Sequence, residues 1–82
     1  MEHIVTAIAK ELVEHPDRVK VTVADDPSLV HITLKVDPQD MGKVIGKQGR
    51  IAKAFRTVLK AVGMKEDRTV HLEIQENEGY VD

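Results

Sequence analysis

Gly46-Lys47-Gln48-Gly49 is the stretch of this chain best suited to holding a ligand. Glycines at both ends of a four-residue loop let another backbone come close, because no side chain blocks the approach. A helix expected directly after the loop turns its N-terminal N–H groups, and the positive end of its dipole, toward whatever sits there. Lys47 adds a mobile positive charge at the tip. Together these parts suit a sugar-phosphate backbone. The surrounding charge points the same way. From Met41 to Lys65 there are seven basic residues (Lys43, Lys47, Arg50, Lys53, Arg56, Lys60, Lys65) and no acidic one. The remainder carries five basic and fourteen acidic residues, so the net charge of −2 divides into +7 and −9. An asymmetry of this kind makes one face electropositive whatever the total.

Other chemistries fit poorly. A magnesium-nucleotide loop needs four residues between its glycines, whereas Gly42 and Gly46 enclose three, and Gln48 stands where Ser or Thr would hold the metal. His31 and His71 could lie side by side on one sheet face, but two imidazoles without a third placed ligand do not make a metal site. Asp25-Asp26 and Glu66-Asp67 read as turn residues. No Ser-His-Asp set is visible, and there is no cysteine, which excludes disulfides and thiolate sites and suits a reducing compartment. The expectation is a binding protein, not an enzyme, with no metal, cofactor or small-molecule substrate. No stretch approaches the roughly 18 apolar residues of a membrane span. Met1-Glu2-His3-Ile4 lacks the basic flank of a signal peptide, so the expected location is the cytoplasm.

The elements that must position the loop follow from periodicity. With 82 residues, 41% apolar and 32% charged, one small globular domain is expected. Phe55 and Tyr80 are the aromatic residues, so Val, Ile, Leu and Ala must build the core. Ile4, Val5, Ile8, Ala9, Leu12 and Val13 recur at helical spacing, and Pro16 is placed to end a helix over 4–14. Val19, Val21 and Val23 alternate with polar residues, as do Val30, Ile32, Leu34 and Val36, and Asp25-Asp26-Pro27-Ser28 between them is turn chemistry. An antiparallel hairpin follows. Asp37-Pro38 reads as an N-cap and first turn of a short helix that the glycines interrupt.

A second helix over 50–62 places Ile51, Phe55, Val58 and Val62 on one arc, flanked by Leu59 on one side and Ala54 and Ala61 on the other, with Lys53, Arg56 and Lys60 opposite and Gly63 as its cap. Lys53 and Arg56 read equally well as a solvated face, and Lys60 and Lys65 read better as one. Val70, Leu72 and Ile74 give a third strand, joined to the second by a crossover long enough to make the two parallel. The fold expected is α+β in the order α-β-β-α-α-β, a mixed three-stranded sheet with three helices on one face. Residues 1–76 form the domain, and 77–82 form an acidic, frayed tail.

At Ile45-Gly46-Lys47-Gln48-Gly49 the chain resembles the KH domain, whose GxxG loop clamps a short run of single-stranded RNA. The helix-first order is similar to the type II, bacterial form. The small size is most similar to the stand-alone KhpA family, over roughly residues 2–76. The resemblance implies RNA binding through Gly46, Lys47, Gln48 and Gly49, with Lys43, Arg50 and Lys53 in reach of phosphates. Ile45 and residues of the second strand then wall a groove for bases. A single such domain without aromatic residues at the loop is expected to bind weakly and with little selectivity, as a small RNA chaperone or post-transcriptional regulator. The resemblance also implies a homodimer, or a heterodimer with a larger KH/R3H-type RNA-binding protein (KhpB, or Jag). The alternative is an assembly module in which RNA binding is secondary.

Overall fold

The computed structural model describes residues 1–77. Helix α1 (Glu2–Leu12) leads through a 3₁₀ turn (Pro16–Arg18) into strands β1 (Lys20–Asp25) and β2 (Leu29–Val36). A second 3₁₀ turn (Pro38–Asp40) opens helix α2 (Met41–Ile45). The loop turn Lys47–Gly49, helix α3 (Arg50–Lys65) and strand β3 (Thr69–Glu76) complete the order. The sheet runs β1-β2-β3, so β2 is central and β3 lies at an edge. β1 pairs antiparallel with β2, Val23 opposite Ile32, and β3 pairs parallel with β2, Ile32 opposite Leu72. The expected α+β order and mixed sheet are the observed ones.

The core forms where β2 meets the helices. Val30, Ile32, Leu34 and Val36 are all buried, as strict alternation in a central strand requires. They pack with Val5 and Ala9 of α1, Val44 of α2, Phe55 and Leu59 of α3 and Leu72 of β3. β1 is a weaker contributor, since Val21 is half-buried and Val23 exposed.

Three local expectations are corrected. Helix α1 begins at Glu2 and ends at Leu12 rather than spanning 4–14, and Ile4 and Ile8 stay 37% exposed although they lie on its apolar side. Helix α3 runs through Gly63 to Lys65. Gly63 is not a cap but a buried helical residue, against which the start of β3 presses. A Cβ there would lie 2.5 Å from the Arg68 carbonyl oxygen and 2.8 Å from Val70 Cγ2. The Gly63 carbonyl accepts the N–H groups of Glu66 and Arg68, and Asp67, at φ 58°, makes the left-handed turn into β3. Finally, the tail expected from residue 77 is held at its first residue. Asn77 is buried; its N–H donates to Val36, its side chain donates to the Arg18 carbonyl, and Arg18 donates back to the Asn77 carbonyl. The expected fraying beyond it lies outside the described residues.

One buried carboxylate fixes α2 against α1. Asp40 is fully buried and accepts the backbone N–H groups of Glu14 at 3.2 Å and His15 at 3.0 Å, and it pairs with His15 Nδ1 at 3.0 Å. Burial works to raise its pKa, but the Glu14 N–H and the His15 side-chain and backbone contacts outweigh it and hold the carboxyl below its ordinary range. The hydrogen bond to Asp40 raises the pKa of His15 against partial burial, with the nearby carboxylates adding to the rise. Asp37 caps the turn before α2 by accepting the Gln39 N–H at 2.8 Å. The short helix that presents the loop is thereby fixed at its start.

Candidate nucleic-acid interface

The loop is a chain of left-handed and extended backbone that few residue types accept. Gly46 lies at φ 77°, ψ 173°, where a side chain is essentially forbidden, and Gly49 lies at φ 74°, ψ 15°. Gln48 between them is also left-handed, at φ 56°, ψ 25°. The Gly46 N–H closes α2 on the Gly42 carbonyl at 2.9 Å, and the Gly49 N–H returns to the Gly46 carbonyl at 3.1 Å. The path projects Lys47 and Gln48 into solvent. Gln48 Oε1 accepts from the Arg50 guanidinium at 3.2 Å, so the loop tip and the first residue of α3 are coupled.

Ile45 and Gly49 border a groove of about 430 Å³. Ala52 and Arg56 of α3 form one side and His71, Leu72, Glu73 and Ile74 of β3 the other. The second wall is therefore β3 and not β2 as expected, because β2 is central and its apolar side is consumed by the core. Arg56 reaches across and donates to the Leu72 carbonyl at 3.2 Å. Glu73 is held below the ordinary carboxylate range by the Gln75 side chain, against partial burial, and His31 and His71 reinforce this. The His31 and His71 rings lie side by side with centroids 4.8 Å apart, and His31 Nε2 is 3.5 Å from Glu73. Among the described residues no group of three His, Cys, Asp or Glu side chains is arranged to hold a metal ion.

The sequence-derived residues are not all equivalent. Ile45, Gly46, Lys47, Gln48, Gly49 and Arg50 are contiguous in the loop and its flanks. Lys53 is exposed one turn into α3. At about 100° per residue it shares one helix edge with Arg56 and Lys60, and Arg56 places that edge beside the groove. Lys43 lies on α2 with its ammonium 3.6 Å from Glu14, so an acid in the segment just after α1 offsets one of the seven cations. That pair is exposed and of small energetic weight. Ala52, Arg56 and the β3 residues line the groove although none was singled out as a site residue. Only the run of cations on α3 signalled any of them.

The arc of α3 that meets the sheet also differs from the expected one. Ala52, Phe55, Leu59 and Gly63 are buried, while Val58 is 43% exposed and Ala54 exposed. The helix is turned so that Ala52 and Gly63 join Phe55 and Leu59 on its buried side, and their small size allows close approach. In consequence Ile51, Ala54 and Val58 line a wholly apolar groove of about 200 Å³ with Ile8 and Leu12 of α1.

A sequence profile described as the KhpA/KhpB KH domain matches residues 2–74. The chain belongs to the KhpA/KhpB KH-domain family. Its relatives include the RNA-binding protein KhpA of Clostridium acetobutylicum, 53% identical over 74 residues that cover 90% of this chain and 99% of that protein. The RNA-binding protein KhpA of Aquifex aeolicus is 53% identical over 76 residues, 93% of this chain and 96% of that one. Among solved structures, Aquifex aeolicus Era bound to GDP and aluminium fluoride superposes with a TM-score of 0.68 at 18% identity. It covers 95% of this chain, which spans 31% of that one, and it shows the shared fold. An Era complex with a nucleotide and a segment of 16S ribosomal RNA matches at TM-score 0.52 and 26% identity, over 92% of this chain and 29% of Era. In this KH domain the GxxG motif is the positive-φ loop itself. No helix among the described residues is long and apolar enough to cross a membrane.

Proposed function

We propose that this KH domain binds single-stranded RNA, without chemistry, in the groove between the Gly46–Gly49 loop, α3 and β3. The observation that carries the reading is the loop's geometry. Gly46, Gln48 and Gly49 at positive φ bring the loop backbone to the mouth of a groove lined by Arg56, with Lys53 on the same edge of α3. Phosphates sit against the backbone N–H groups of Lys47 and Gln48 and the side chains of Lys47, Arg50 and Lys53, with Lys43 as an outer contact. Bases enter against Ile45, Ala52, Leu72 and Ile74. The relatives named RNA-binding proteins support the same reading. Among the described residues no Phe, Tyr or Trp lines the groove, so affinity per domain is low and selectivity slight, as suits a small RNA chaperone or post-transcriptional regulator. Fluorescence anisotropy with labelled single-stranded RNA over a salt series tests this. Three or four phosphate contacts predict a slope of log K against log salt of about −2 to −3, at about −0.7 per phosphate. A slope near zero would remove the phosphate clamp.

The apolar groove between α1 and α3 favours a second property, self-association. Ile4, Ile8 and Val58 are all more than a third exposed, in a domain whose small core gains from added burial. The occupant we assign is a second copy of the chain; a larger KH/R3H-type relative such as KhpB is the alternative. Ile51, Ala54 and Val58 lie on the side of α3 away from Arg56 and Lys60, so the two grooves can be filled together. Pairing then raises avidity for RNA through effective concentration.

A further inference from the structure

The groove beside the loop does not end at Arg56. A second compartment of about 390 Å³ continues along α3 and β3, sharing Arg56, His71 and Leu72 with the first. Its α3 side is formed by Arg56, Lys60 and Met64, and its β3 side includes Val70 and Leu72. Met64 is 71% exposed, a large apolar side chain beside two cations on the solvent side of a helix that is otherwise well sorted. Arg68 closes the far end, already neutralised by Asp25 and Glu66. The charge available to a ligand is therefore that of Arg56 and Lys60. Arg56 sits at the junction, one guanidinium N–H spent on the Leu72 carbonyl and the others left for a ligand.

Resting on the RNA reading above, we propose that this compartment is a second nucleotide subsite. The bound strand then runs past the loop clamp, over Arg56, to Met64. Continuity with the first compartment and its charge commit it to the same strand. Lys60 and Arg56 meet phosphates, while Met64 and Val70 offer apolar surface to a base face. From Gly49 to Met64 is about 22 Å along the helix at 1.5 Å per residue. At roughly 3.4 Å per step of a stacked strand that is about six nucleotides, more than the four a KH loop clamps.

Anisotropy titrations with a tetranucleotide and an octanucleotide of uridine test this, with wild type and a Lys60→Gln, Met64→Ser variant. Both altered side chains are exposed, so the variant keeps the fold. An octanucleotide offers about five registers to a tetranucleotide site, so registers alone give about a fivefold gain. The subsite predicts a gain of about fiftyfold or more in wild type, falling to about fivefold in the variant. Tetranucleotide binding should be unchanged within about twofold. A wild-type gain no larger than fivefold, or a full gain retained by the variant, overturns the second subsite and leaves the loop clamp standing. Failure of wild type to bind either oligonucleotide overturns the clamp and, with it, the extension.

Discussion

Replacing Gly46 with alanine separates the role of the loop's backbone from that of its charge. At φ 77°, ψ 173° a Cβ costs about 1–3 kcal/mol in backbone strain alone. The added carbon would also lie 2.6 Å from Ile51 Cγ1, 2.9 Å from its Cβ and 3.0 Å from its Cδ1. The outer two atoms can swing toward the apolar groove that Ile51 lines. The Cβ cannot, because the first turn of α3 fixes it. Overpacking of this kind adds about 1–3 kcal/mol. The sum, about 2–6 kcal/mol, is a large share of the roughly 4–12 kcal/mol expected for a chain of this size. Gly49→Ala is the control. It lies at φ 74°, and a Cβ added there would meet nothing within 4 Å, so strain alone applies, about 1–2 kcal/mol. Urea unfolding should rank wild type above Gly49→Ala, and Gly49→Ala above Gly46→Ala by about 1–3 kcal/mol. In a double-mutant cycle, Ile51→Ala should partly relieve Gly46→Ala. Equal losses at the two glycines, or additive effects of Gly46→Ala and Ile51→Ala, would refute the proposed contact.

Gly63→Ala should destabilise despite a helix-propensity gain of about 1 kcal/mol, because the Arg68 carbonyl 2.5 Å away belongs to backbone that cannot yield. A net loss of up to about 2 kcal/mol in urea unfolding is expected, and a gain would contradict the packing. The His15–Asp40 pair sets a pH dependence. His15 has its pKa raised above 6.5 on folding, so its contribution is complete below that value and fades as pH rises through the folded pKa. Asp40 has its pKa lowered below 3.8, so its contribution is present above that value and is lost as pH falls through the folded pKa. The difference in Tm between wild type and His15→Ala should therefore be larger near pH 5.5 than near pH 8.5. Val58→Glu should leave the fold intact and shift sedimentation toward monomer, whereas an unchanged profile would exclude the α1–α3 groove as the contact.

Most of the fold was legible because β2 obeys strict alternation and the loop glycines punctuate the helices. Val30, Ile32, Leu34 and Val36 are buried as that pattern requires, and the crossover length dictated the parallel β2–β3 pair. The orientation of α3 was not legible. Hydropathy favours Ile51 and Val58, whereas the sheet takes Ala52 and Gly63, whose smallness permits close approach but gives a weak apolar signal. The same reasoning explains Gly63, which looks like a cap until Arg68 is seen to press against it. At the site, motif and charge located the loop and the basic edge of α3. They could not show that edge strand β3 walls the groove, because that depends on strand order. Nor could they reveal that Asp40, 26 residues from Glu14, anchors the start of α2.

The central claim is that the loop clamps RNA, and Lys47→Asp with Gln48→Asp tests it most directly. Both side chains are exposed, and aspartate accepts the left-handed geometry of position 48 better than glutamine does, so the fold should persist by circular dichroism. The loop's side-chain charge passes from +1 to −2. Labelled single-stranded RNA should bind wild type in a salt-dependent way and the folded variant at least about tenfold more weakly. Equal binding by the two folded proteins would contradict the clamp and leave the α1–α3 groove as the functional surface.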